Sequence, residues 1–125
     1  MKTAEATMTI QEIANRLVEF CRAGNYTGAH EELYSENAES LEPSHSPGMQ
    51  SVKGRDAIIA KGKQFQGMVE EIHGGSVSEP IIAGNHFAVA AMIDATMKGM
   101  GRSTMDEICV YEVKDGKVVK EQFIY

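Results

Sequence analysis

The hydrophobic period of this 125-residue chain changes once, near Ile72, and that change restricts the fold more than any single motif. Upstream of it, apolar residues recur at helical spacing; downstream, they alternate with polar residues at a period of two. Helices gathered before a run of strands joined by short turns predict a single α+β domain over residues 1–125. Its sheet is expected to be antiparallel and curved, wrapped as a cone around three N-terminal helices. Such a cone leaves a space between sheet and helices where a ligand is held.

Local signals place the elements. Thr9-Ile10-Gln11-Glu12 reads as a capping box, with Met8 and Ile13 as the accompanying hydrophobic staple. Ile10, Ile13, Ala14, Leu17, Phe20 and Cys21 form one helical face, and Gly24 ends the helix. Asn25 or Thr27 caps a shorter second helix whose apolar side carries Tyr26, Ala29 and Leu33, with His30 at its edge. Asn37 to Glu42 reads as a short strand stopped by Pro43, followed by a Ser/Pro/Gly loop to Lys53. A third helix opens at Gly54, with Ile58, Gly62, Phe65 and Val69 inward. Gly62 and Gly67 each cost about 1 kcal/mol in a helix, which points to close packing or an early end. Four strands follow at about 72–82, 86–98, 102–113 and 117–124, the last two joined by an Asp115-Gly116 hairpin turn.

Composition removes several function classes. Apolar residues make up 42% and charged residues 24%, enough for one globular core. A net charge of −6 with no basic cluster excludes binding to a phosphate backbone, so no nucleic-acid partner is expected. No apolar run approaches a membrane span, and the first residues carry no signal-like apolar segment, so a cytoplasmic protein is expected. Cys21 and Cys109 have no metal or redox spacing and read as buried free thiols of a reducing compartment. His30-Glu31-Glu32-Leu33-Tyr34 lacks the second His of a zinc-protease helix, and Gly99-Met100-Gly101-Arg102 lacks the helix that a nucleotide loop needs. Glu42, His45 and His73 have no diagnostic ligand spacing. Neither a metal nor a cofactor is expected.

Strand parity selects the polar candidates. Val119, Glu121, Phe123 and Tyr125 share one face of the last strand; Met105, Glu107, Cys109, Tyr111 and Val113 share one face of the strand before it. Phe87 to Met97 presents an unbroken apolar face at every second residue, which turns Asp94 outward. A carboxyl among aromatic groups is costly to ionise and becomes a usable acid or base near neutral pH. Glu107 and Glu121 are therefore catalytic candidates, facing a wall of Phe65, Tyr111, Phe123 and Tyr125, with His73 at the mouth as a proton carrier. Met92, Ile108 and Val110 leave the outer sheet face apolar, which predicts a two-fold homodimer through that face.

Several phrases in this order resemble the nuclear transport factor 2-like superfamily, and within it the SnoaL-like branch of polyketide cyclases and relatives of ketosteroid isomerases. They are Arg22-Ala23-Gly24-Asn25, Leu33-Tyr34-Ser35-Glu36-Asn37-Ala38, Leu41-Glu42-Pro43, Gly54 with Ala57-Ile58, and Asp115-Gly116-Lys117-Val118-Val119. The resemblance implies a cystatin-like cone that binds a small, largely apolar molecule, and many members of the superfamily dimerise through the sheet. It matches Glu42 to the isomerase base before a Pro. It matches Leu17 to the helix-one donor Tyr, which is absent here, and places the second donor near Glu107 or Cys109. In the cyclases a strand carboxylate is the acid/base group, a role open here to Glu107 or Glu121. A steroid isomerase is thus not expected. Cofactor-free isomerisation, cyclisation or hydration is, with Glu42 or Glu121 as base and Glu107 or Tyr111 as donor. The rival expectation is a non-catalytic ligand-binding or scaffold protein of the same fold.

Overall fold

The computed structural model describes residues 7–125. Helices α1 (Ile10–Arg22) and α2 (Tyr26–Leu33) lead directly into strand β1 (Tyr34–Leu41). A short strand β2 (Val52–Lys53) precedes helix α3 (Arg55–Met68). Strands β3 (Val69–Val77), β4 (Ile81–Ala83), β5 (His86–Met97), β6 (Gly101–Lys114) and β7 (Lys117–Ile124) follow. All strands belong to one curled, unclosed sheet of order β2-β1-β7-β6-β5-β3, with β4 also on β5. This is the α+β cone expected from the period change.

The local signals act as read. Thr9 Oγ1 accepts from the Glu12 N–H at 3.1 Å, and Glu12 Oε1 accepts from the Thr9 N–H at 2.8 Å. Asn25 caps α2 by accepting from the Gly28 N–H at 3.0 Å. Asp115 and Gly116 both have positive φ, 52° and 74°, which is the mirror-image turn that suits the twist of a two-residue hairpin.

Several features differ from expectation; among them, Val69, expected on the third helix, opens β3. The sheet is mixed, because β1 pairs with β7 in parallel. Parallel neighbours need a long crossover, and here α3 and the intervening strands supply it. Strand β1 begins at Tyr34 rather than Asn37, since the Tyr34 side chain is drawn into the interior and is 2% exposed. The strand expected at about 72–82 is divided into β3 and β4, with Ser78-Glu79-Pro80 between them; Pro80 has no N–H for a ladder. In β7, Val118 rather than Val119 joins the core. Glu112 pairs with Lys120 and Val113 with Val118, so Val119 bulges out of register.

The core lies between the helices and the inner sheet face. Ile13, Leu17, Leu33, Tyr34, Ile58, Phe87 and Val118 are each at most 2% exposed. Each buried aliphatic or aromatic side chain of this kind contributes roughly 1.5–3 kcal/mol. On α3 the buried residues are Ile58 and Lys61, so Lys61 occupies the inner face expected of Gly62. Gly62 instead makes room for a neighbour: a Cβ there would stand 3.3 Å from His30 Cε1.

His30 is 8% exposed and packs edge-on against Tyr34, ring centroids 4.8 Å apart. Its Nδ1 has no hydrogen-bond partner among the described residues. Burial, and then the nearby Lys61 charge, lowers its pKa to about 4. The folded chain therefore keeps His30 neutral while the unfolded chain protonates it below about pH 6.5. Stability from this group is present above that pH and is lost as pH falls toward about 4. Urea unfolding at about pH 7.5 and about pH 4.5 should show His30→Leu gaining about 2 kcal/mol over wild type at the lower pH. Parallel pH profiles for the two proteins would rule out this coupling.

Candidate functional site

Strand register assembles the site in rows across the inner sheet face. Ser40 on β1 stands beside Glu121 on β7, Glu121 beside Tyr111 on β6, and Tyr111 beside Phe87 on β5. The next row sets Phe123 beside Cys109 and Cys109 beside Val89; one step further, Glu107 stands beside the small Ala91. Helix α3 covers these rows and brings Lys61 down onto them.

A chain of hydrogen bonds links the buried end of the site to the surface. The Tyr34 hydroxyl donates to Glu121 Oε1, and Ser40 Oγ donates to Glu121 Oε2 at 2.5 Å. Lys61 Nζ donates to Ser40 Oγ at 2.6 Å and to Glu42 Oε2 at 2.8 Å. The ammonium also lies over the Phe123 ring, 5.3 Å from its centroid. Glu42 Oε1 accepts from the Tyr125 hydroxyl at 2.7 Å, and that hydroxyl oxygen is 2.7 Å from Ser46 Oγ. The loop after Pro43 closes back where the Glu42 N–H donates to Ser51 Oγ at 2.9 Å. His45 Nε2 is 3.0 Å from the Tyr125 backbone oxygen and ties the same loop to the chain beside it.

Burial sets the protonation of this cluster. It raises the Glu121 pKa against the opposing pull of Ser40, Tyr34 and Lys61. It also raises that of Glu107, where the Cys109 thiol, 3.4 Å away, is a weak donor and Glu42 and Glu121 add repulsion. Burial pushes the Cys21 thiol up to about 12 and Cys109 higher still, so neither is a thiolate nucleophile. Tyr26, Tyr34 and Tyr111 are raised for the same first reason. No group of three His, Cys, Asp or Glu among the described residues has the geometry of a metal site.

The three candidate carboxylates thus lie close enough to feel one another's charge, but in different conditions. Glu121 is 3% exposed and held by two hydroxyls; Glu42 is held by Lys61 and Tyr125. Glu107 is half-buried and has only the thiol. Phe123 lies under Lys61, Tyr125 stands at the mouth, and Phe65 is half-buried on α3. Tyr111 is buried against Phe87, with rings stacked at 4.8 Å, and Leu17 is a core residue at 1% exposure. Both are core residues rather than parts of an open wall. His73 is not at the mouth. A register shift in β3 turns it to the outer face, where Nε2 is 2.7 Å from Thr96 Oγ1. Asp94 is on that face too, paired with Arg102 at 2.9 Å.

Sequence reasoning missed Lys61, Ser40 and Tyr34. Two signals were present: Ser40 shares strand parity with Glu42, and Lys61 follows Ile58 at helical spacing. Residues 8–125 match the family model of the SnoaL-like domain. Among solved structures, the chain is similar to a Mesorhizobium loti protein assigned as a SnoaL-like polyketide cyclase. Identity is 39%, covering 94% of this chain and 100% of that one, with a TM-score of 0.86. It shares its fold with IdmH of Streptomyces antibioticus, assigned as a polyketide cyclase, at 16% identity, 94% and 91% coverage and TM-score 0.68. It also shares it with a Catenulispora acidiphila protein of ketosteroid isomerase-like fold, at 17% identity, 91% and 85% coverage and TM-score 0.72. No curated protein sequence matches.

The hydroxyls on Glu121 favour its ionised form, so their removal should be felt most where that form prevails. Tyr34→Phe should cost about 2 kcal/mol at about pH 8 and clearly less at about pH 5, measured by urea unfolding. An equal loss at both pH values would mean that Tyr34 does not support the Glu121 charge.

Proposed function

This chain belongs to the SnoaL-like domain family, and from that premise we propose that its chamber binds a small, largely apolar organic molecule and moves a proton on it without a cofactor. The observation that carries this reading is the state of Glu107. It is the one of the three carboxylates that is half-buried, raised in pKa and left without a strong donor. A base of this kind is basic enough to take a proton from a carbon beside a carbonyl and acidic enough to return it near neutral pH. Isomerisation, aldol-type cyclisation and hydration all use that exchange. Glu42 and Glu121 are engaged by Lys61, Ser40 and Tyr34, and Tyr111 is sealed, so the base role expected of the first two passes to Glu107.

A non-catalytic binding or scaffold role is the second reading. It is favoured by Leu17, Phe87 and Tyr111, which pack the depth of the cone with apolar and aromatic groups. No described helix is long and apolar enough to cross a membrane. For the partner we propose a second copy of this chain on the outer sheet face. Ile108 and Ile124 are cross-strand neighbours there, 44% and 50% exposed, beside a groove of about 350 Å3 that Met92, Ala90 and Asp106 also line and that Glu107 and Ala91 reach from the inner face.

Two measurements check these proposals. Small cyclic ketones and β-keto esters should raise the melting temperature, and the protein should exchange their α-protons for deuterium in heavy water. Glu107→Gln should keep the thermal shift and lose at least about a hundredfold in exchange rate. Wild-type exchange in that variant would clear Glu107 of the role, and no thermal shift across the panel would favour the scaffold. Light scattering should give a dimer for wild type and a monomer for Ile108→Glu; a monomeric wild type would remove the interface.

A further inference from the structure

Lys61 is the residue of the chamber that no motif announced, and its surroundings give it a task. It is 7% exposed, and a buried ammonium is stable only when paired and hydrogen-bonded. Its bonds to Glu42 Oε2 and Ser40 Oγ, 2.8 and 2.6 Å, meet that condition, and Ser40 passes the contact on to Glu121 at 2.5 Å. The titratable groups that face it are His30 on α2, Glu42 just past the end of β1, Glu107 on β6 and Glu121 on β7, with the Tyr34 phenol on the far side of Glu121. Behind them, the thiols of Cys21 and Cys109 and the phenols of Tyr26 and Tyr111 are held neutral by burial. His30 is neutral as well. Lys61 is thus the cation set among three carboxylates that share a low-dielectric space.

Resting on the proton-transfer reading of this chamber, we propose that Lys61 is a positioning residue that regulates the charge of the whole site. Its ammonium, 2.8 Å from Glu42 and joined through Ser40 to Glu121, lowers the number of protons the cluster holds and so sets the pH range in which Glu107 exchanges its proton. Lys61 does not need to touch the substrate. Carboxyls that crowd together titrate as a unit, and a cation among them lowers the number of protons the unit holds. Without it, Glu42 faces Glu107 and Glu121 with no counter-charge, and the cluster takes up a proton.

The test reads the carboxyls directly. Carbon-13 NMR titration of Glu42, Glu107 and Glu121 is compared in wild type, Lys61→Met and Lys61→Arg. In Lys61→Met at least one of the three should titrate higher by about one pH unit or more. The acid limb of the deuterium-exchange profile should move the same way. Lys61→Arg keeps the charge and should titrate like wild type. If Lys61→Met does not fold, Lys61→Gln retains donors for Ser40 and Glu42 without the charge and gives the same readout. Three unchanged titrations in the uncharged variant would overturn the proposal. Moved titrations in a protein that exchanges no substrate proton would leave Lys61 in this role and overturn the catalytic reading instead.

Discussion

The organisation of this molecule rests on one buried carboxylate. Glu121 sits on the last strand and accepts hydrogen bonds from Tyr34 and Ser40 on the first. Those bonds run alongside the parallel ladder that joins β1 to β7, so side chains and backbone fasten the same seam. Tyr34 must be inside for this to happen, which is why β1 starts as soon as α2 ends. Ser40 must sit beside Glu121, which fixes the register that brings Glu42 out at the strand end next to Lys61. The row Ser40, Glu121, Tyr111 and Phe87 then runs across the inner face of the sheet.

Such a network is an expensive way to join strands. An ion pair and a second carboxylate removed from water lose several kcal/mol of hydration each, and apolar residues of similar volume would often hold the seam as well. The arrangement is satisfied nearly throughout, because each buried oxygen of Glu121 has a hydroxyl and the Lys61 ammonium has two oxygens. Satisfied polar networks in a low dielectric are stiff. Stiffness of that kind holds Glu42 and Glu121 at a constant distance from Lys61. The Nδ1 of His30, with no partner among the described residues, is a local exception within an otherwise saturated interior.

The fold was legible because it follows from period and punctuation. The capping box at Thr9, the stop at Gly24 and the hairpin at Asp115-Gly116 are local chemistry, and each stands where it was read. What could not be read was anything set by pairing between distant segments. The direction of β1 against β7 and the bulge at Val119 depend on partners many residues away. The candidate site divides along the same line. Glu107 and Glu121 were found by parity, which is local, and Glu42 by the resemblance of Leu41-Glu42-Pro43. Their different surroundings were not, because Lys61 reads as a solvated helix residue until α3 is placed on the sheet. His73 was misplaced for a related reason: one register shift in β3 moves a side chain to the other face.

The pairing of the first strand with the last has a consequence for how the protein is made. Tyr34 and Glu121 are 87 residues apart in sequence, and Ser40 and Glu121 are 81 apart. Contacts of such separation close late, since a long loop must be ordered before they form. A chain still emerging from the ribosome can build α1, α2 and the β5–β6 hairpin, yet it carries Lys61 facing an unfinished wall. The polar seam that gives Lys61 its surroundings forms only when β7 docks beside β1.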